Sequence, residues 1–168
     1  MTVYQAQELS FDDIAEDVVY KTSSRTITEG DVMFFAGLTG DFNELHTSQS
    51  YAQHTAFGAR IAHGMLTLAV ANGLYMRLNL FEKYTVANLG IENWQFKKAV
   101  LIGDTLHVEL TLEDKRLTKN PKRGVIRWFV KVLNQNDETV AEGIWVKMFL
   151  TRAGLEEKKI KKEEKNES

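Results

Sequence analysis

The chain has 168 residues, 43% of them hydrophobic and 10% aromatic, which suits one domain with its own core. Its net charge of −2 lacks the strongly basic balance that marks a nucleic-acid binder. With no cysteine, the chain has no disulfide framework, thiol nucleophile or thiolate metal site, and it fits a reducing, cytoplasmic compartment.

The opening MTVYQAQELSFDD has neither a basic flank nor an apolar run and does not read as a signal peptide. A strand is expected around Val18 to Thr26. Thr28-Glu-Gly-Asp31 then sets a cap residue three positions before a carboxylate, ahead of Val32, Met33, Phe34, Phe35 and Leu38. That pattern predicts a short helix ending in the Gly37 to Gly40 region. GDFNELH follows, and Gly40, Asp41 and Asn43 favour an irregular loop there. Ser48 or Ser50 caps a second short helix through Tyr51 to Thr55, which Gly58 breaks. The longest helix is predicted over His63 to Leu80, with Leu66, Ala69, Val70, Gly73, Leu74 and Arg77 forming a mostly apolar stripe. Its small residues Ala69, Ala71 and Gly73 point to close packing on a sheet. Asn72, Arg77 and Asn79 make this segment too polar to span a bilayer.

The second half reads as strands. YTVANLGIENWQFKKAV is a long candidate with a bulge near Gly90. TLHVELTLEDK, GVIRWFVKVLNQ and ETVAEGIWVKMFL alternate with period two, with turns at Thr118 to Gly124 and Asn134 to Asp137. A meander of long antiparallel strands with one buried helix predicts an α+β domain over residues 1–153, its sheet curled around that helix. Residues 154–168 form a charged tail, read as a frayed helix or a disordered segment.

Three of the four histidines (His46, His54 and His63) lie between Gly40 and Met65, close to Asp41. They lack the i, i+4 spacing of a helical ligand pair, and there is no HExxH, so no metal is expected. Asp41 and His46 admit two readings. On a loop they can converge and share a water for proton transfer. Alternatively, Asp41 caps a turn and His46 is a satisfied core histidine. Gly64 likewise either offers an unpaired helix N–H to an oxygen gaining charge, or simply starts a buried helix. His54 and His107 read as surface or satisfied histidines.

Ala36 to Leu74, AGLTGDFNELHTSQSYAQHTAFGARIAHGMLTLAVANGL, resembles the hydratase motif of the MaoC-like, (R)-specific enoyl-CoA hydratase family. Trp94 to Leu110, WQFKKAVLIGDTLHVEL, resembles that family's later strand pair. The resemblance implies a hot-dog fold, a long antiparallel sheet wrapped around a central helix, with two copies joined as a homodimer or in a higher homo-oligomer. It implies syn addition of water to a trans-2-enoyl thioester, with acyl-CoA as the partner and no cofactor, metal, nucleic acid or membrane. Asp41 and His46 then match the catalytic pair, Gly64 the thioester-holding amide, and Asn43 a loop-shaping neighbour. Asn72 stands where bacterial hydratases often carry a Ser near the catalytic water. Glu44 replaces a Pro common in the family, and Ala99 another before Val100. On position, Lys97, Lys98 and Arg60 are candidates for the CoA phosphates or plain surface cations. Competing readings are a hot-dog thioesterase, a non-catalytic acyl-CoA-binding protein, one subunit of a hetero-oligomeric dehydratase, or a hydratase of branched or dicarboxylic acyl-CoA. Thioesterases of this shape usually carry a carboxylate on the central helix, and Met65 to Leu80 offers none.

Overall fold

The computed structural model describes residues 8–166, with the side chains at 161, 162, 165 and 166 outside that description. Residues 1–7, part of the opening segment read as lacking a signal peptide, and the last two residues of the tail also lie outside it. Tyr20–Lys21 (β1) and Arg25–Thr26 (β2) come first, followed by helices Glu29–Thr39 (α1), Glu44–Thr47 (α2), Gln49–Ala52 (α3) and Gly64–Met76 (α4). Four long strands follow: Thr85–Phe96 (β3), Thr105–Leu117 (β4), Arg123–Leu133 (β5) and Thr139–Leu150 (β6). Arg152–Asn166 (α5) ends the described chain. The sheet order is β1-β4-β5-β6-β3, with β2 also on β4, and every pairing is antiparallel.

Period-two alternation builds the core face. Leu106, Val108 and Leu110 of β4 and Ile126, Trp128, Val130 and Val132 of β5 are fully buried. They form one cluster with Leu66, Val70, Ala71, Leu74 and Tyr75 of α4, so the sheet wraps the central helix as the α+β hot-dog expectation requires. Each such apolar side chain contributes about 1.5–3 kcal/mol on burial. A register shift between Asn88 and Gly90 supplies the bulge expected in β3.

The expected strand over Val18 to Thr26 is instead two short strands, both laid on β4. α4 stops at Met76 rather than Leu80, because Asn79 adopts a left-handed φ of 54° that ends helical geometry. Its buried face is Leu66, Thr67, Val70, Ala71, Leu74 and Tyr75, rotated from the expected stripe. Of the small residues, only Ala71 packs into the core. Ala69 and Gly73 border open space instead. α1 has the capping box read from Thr28 and Asp31, and it ends on Gly40 at φ 79°. The charged tail lies in α5, docked where Gly154 meets the β4–β5 turn: a Cβ there would come 2.2 Å from the Lys122 carbonyl oxygen. No helix among the described residues is long and apolar enough to cross a membrane.

Candidate active site

Gly40 turns the chain out of α1 and frees Asp41 and Phe42 from helical geometry. Asn43 then works in both directions. Its N–H donates to the Asp41 carboxylate at 3.3 Å, and its side chain accepts from Leu45 N–H at 2.9 Å, capping α2. His46 therefore sits on a one-turn helix, where an irregular loop was expected. The Asn43 cap is what makes that turn possible. Glu44 occupies the first helical position, where proline suits the missing hydrogen bond and an acid suits the helix dipole. The replacement of Pro by Glu thus keeps the local geometry served.

Two imidazole-to-carbonyl bonds assemble the site. His46 Nδ1 lies 2.8 Å from the Ile61 carbonyl oxygen. A carbonyl only accepts, so Nδ1 carries a proton, and in the neutral ring that leaves the lone pair on Nε2. His63 Nε2 lies 3.0 Å from the Asp41 carbonyl oxygen, so it too donates. The two rings stack at a centroid distance of 3.8 Å and a tilt of 30°. One ligating atom from each of Asp41, His46 and His63 lies within 4.8 Å of the others. Asp41 is exposed, His46 half-buried and His63 buried, so the cluster grades from water to core. Such a set of three can also hold a metal ion, an arrangement linear spacing could not anticipate because His63 arrives from another segment.

His63 is the N-cap of α4 and makes no side-chain cap bond. The first N–H groups of that helix, Gly64's among them, have no intrahelical acceptor. A Cβ at Gly64 would lie 2.8 Å from Phe96 Cζ, so glycine lets this backbone and the ring approach closely. From the same end of α4 a cavity of about 490 Å³ opens, lined by Met65, Leu68, Ala69 and Asn72 of α4 with Phe35, β3 and β6. Phe35 links the two regions, since its ring also packs on His63 at 5.0 Å. Asn72 stands about 12 Å along the helix axis from Gly64, in the cavity wall.

The structure thus brings Asp41 and His46 together with His63, the residue before Gly64, holds Asn43 against Asp41, and sets Asn72 apart, along the cavity. The three candidate phosphate contacts already have carboxylate partners: Arg60 with Glu29, Lys97 with Glu142, and Lys98 with Glu138. His54 is exposed beside Gln53. His107 is buried, and its Nε2, without a hydrogen-bond partner, lies 3.7 Å from an Asp137 carboxylate oxygen and 3.9 Å from one of Glu109. Two residues escaped the sequence reading. His63 figures in the sequence only as a member of the histidine cluster and as the start of the predicted long helix. Lys147 lines the cavity although it sits on the core face of β6, and the signal was a charge at an inward position between Trp145 and Phe149.

The MaoC like domain family matches residues 10–132. Protein MaoC of Klebsiella aerogenes is 35% identical over 105 residues, 62% of this chain and 31% of that protein. The chain thus spans about a third of that relative's length. An (R)-specific enoyl-CoA hydratase of Rhodospirillum rubrum is 35% identical over 102 residues, 61% of this chain and 68% of that protein. The solved structure of a monoamine oxidase regulatory protein from Archaeoglobus fulgidus superposes with a TM-score of 0.82 at 31% identity, covering 89% of this chain and 99% of that one. A Mycobacterium tuberculosis protein with a double hot-dog fold does so with a TM-score of 0.77 at 20% identity, covering 88% and 46%, a likeness of fold alone.

Proposed function

This chain belongs to the MaoC-like domain family, and on that premise we propose that it is an (R)-specific enoyl-thioester hydratase, acting reversibly as a 3-hydroxyacyl dehydratase. The observation that carries the reading is the convergence of Asp41 and His46 at the uncapped start of α4, beside an apolar cavity.

In the forward direction, Asp41 and His46 hold one water. Its oxygen bonds to C3 of the trans-2-enoyl thioester as its proton passes to the pair, with the His46 Nε2 lone pair free to accept. Electrons move onto the thioester oxygen, which the Gly64 N–H stabilises as an enolate. The pair then returns a proton to C2. One water on one face gives syn addition, and atoms balance with no redox partner. A donor of the Gly64 kind typically contributes about 3 kcal/mol to lowering such a barrier. Asn43 shapes the loop, and Asn72 with the cavity wall receives the acyl chain.

The substrate is taken to be an acyl-CoA of fatty acid metabolism, used in the cytoplasm. A homodimer fits the long edge strand β3, which exposes Val86, Leu89, Ile91 and Phe96. The thioesterase reading is disfavoured because α4 offers no carboxylate. The test is crotonyl-CoA: loss of enoyl absorbance without thiol release supports hydration. Thiol release, or no reaction, refutes it.

A further inference from the structure

Lys147 is an anomaly in the wall of the acyl cavity. It alternates with Trp145 and Phe149 on the face of β6 that packs against α4, and it is 3% exposed. Its Nζ lies 4.3 Å from the centroid of the Tyr75 ring and 5.2 Å from that of Trp145. One hydrogen bond holds it, to Asn88 Oδ1 at 2.5 Å across the β6–β3 pairing. Among the described residues no carboxylate pairs with it, and an ammonium has three donors to satisfy. Trp145, in the same cavity wall, has a buried Nε1–H that also lacks an acceptor. Apart from Asn72, the remaining side chains of the lining, such as Phe35, Met65, Leu68, Leu89 and Ile91, are apolar. A buried cation without a counter-ion is costly, and a well-placed anion relieves that cost.

Resting on the hydratase reading above, we propose that Lys147 recognises a carboxylate at the far end of the acyl chain, so that the preferred substrate is an ω-carboxyacyl thioester. The apolar wall receives the methylenes. The cavity starts at Met65, next to the Gly64 amide, and runs along α4 to Asn72, so the thioester and the ω-carboxylate lie at opposite ends of one channel. Asn88 orients the ammonium from β3.

The test measures binding of saturated acyl-CoAs to the full chain by calorimetry, comparing adipyl- with hexanoyl-CoA and suberyl- with octanoyl-CoA. The wild type is expected to bind at least one ω-carboxyl ester about tenfold or more tighter than its methyl-ended match, the lower end for a hydrogen bond to a charged group. Lys147→Met is expected to abolish or invert that preference. Asn88→Asp, which gives the ammonium a fixed counter-charge, is expected to abolish it while leaving Lys147 in place. No preference in the wild type, including no binding, overturns the proposal, as does a preference that survives Lys147→Met. Crotonyl-CoA hydration is read in parallel. Hydration without a carboxylate preference sinks this inference alone, and a preference without crotonyl-CoA hydration sinks the hydratase reading alone.

Discussion

Replacing Lys147 by methionine tests the electrostatics of the cavity without any ligand. Burial lowers the Lys147 pKa from 10.5 to about 8. That difference corresponds to about 3 kcal/mol of penalty on the charged form in the folded protein. The faces of Tyr75 and Trp145 offset part of the penalty, by about 1 kcal/mol or more. Lys147→Met is therefore expected to stabilise the fold near neutrality by about 1–2 kcal/mol. The sign of the pH dependence follows from proton counts. Below the folded value of about 8, Lys147 is protonated in both states and the penalty is constant. Between there and 10.5 the unfolded chain holds more protons, so wild-type stability rises with pH and the advantage of the variant fades. Burial pushes the Tyr75 hydroxyl upward in both proteins, which works the other way at high pH. The assay is urea unfolding of both proteins at a series of pH values, read as the difference in midpoints. A difference that stays flat across this window, or a variant less stable near neutrality, would refute the reasoning.

Other outcomes follow from the site. Asp41→Asn and His46→Ala are each expected to keep the fold and to lower crotonyl-CoA hydration by about 10²-fold or more, read as initial rates. Gly64→Pro removes one N–H at a helix position that tolerates proline, and His63 at ψ 140° already has the backbone a pre-proline residue needs. Its Cβ must displace the Phe96 ring as alanine's does, so stability should match that of Gly64→Ala while kcat falls by about 10²–10³-fold. Gly64→Ala, which keeps the N–H and must only displace the Phe96 ring, should retain far more activity. His63→Leu removes the bond to the Asp41 carbonyl and the ring beneath His46, and about 10²-fold in kcat is expected from misplacement. A shifted pH profile would separate this from a simple loss of fold. Thr28→Ala breaks the capping box and should cost about 1 kcal/mol in unfolding experiments, with hydration unchanged.

Much of the architecture was legible because the signals are local. Period-two runs gave β4, β5 and β6, and the Thr28–Asp31 box gave the start of α1. What failed was non-local or cooperative. The Val18 to Thr26 segment broke in two because its partner β4, rather than its own pattern, decides where pairing holds. The end of α4 turned on one left-handed residue, Asn79, three positions past its last helical residue. At the site, Asp41 and His46 stood out through their loop chemistry and the motif around them. His63 did not, because its role depends on stacking across a gap of 17 positions from His46. Lys147 was hidden for a related reason: alternation marks it as inward-facing, but only the neighbouring β3 and α4 show that, among the described residues, an amide and aromatic faces meet it rather than an anion.

The pair of imidazole-to-carbonyl bonds has a kinetic meaning beyond geometry. One ties His46 to Ile61 and the other ties His63 to Asp41, so the same two stretches of chain are stitched together twice, in opposite senses. Neither stretch can peel away without disarming the other. The acid–base pair and the start of α4 therefore open and close as one unit, and their amides should exchange with solvent at a common rate. Heat or denaturant should then switch the catalyst off in a single step, with no partly competent form in between.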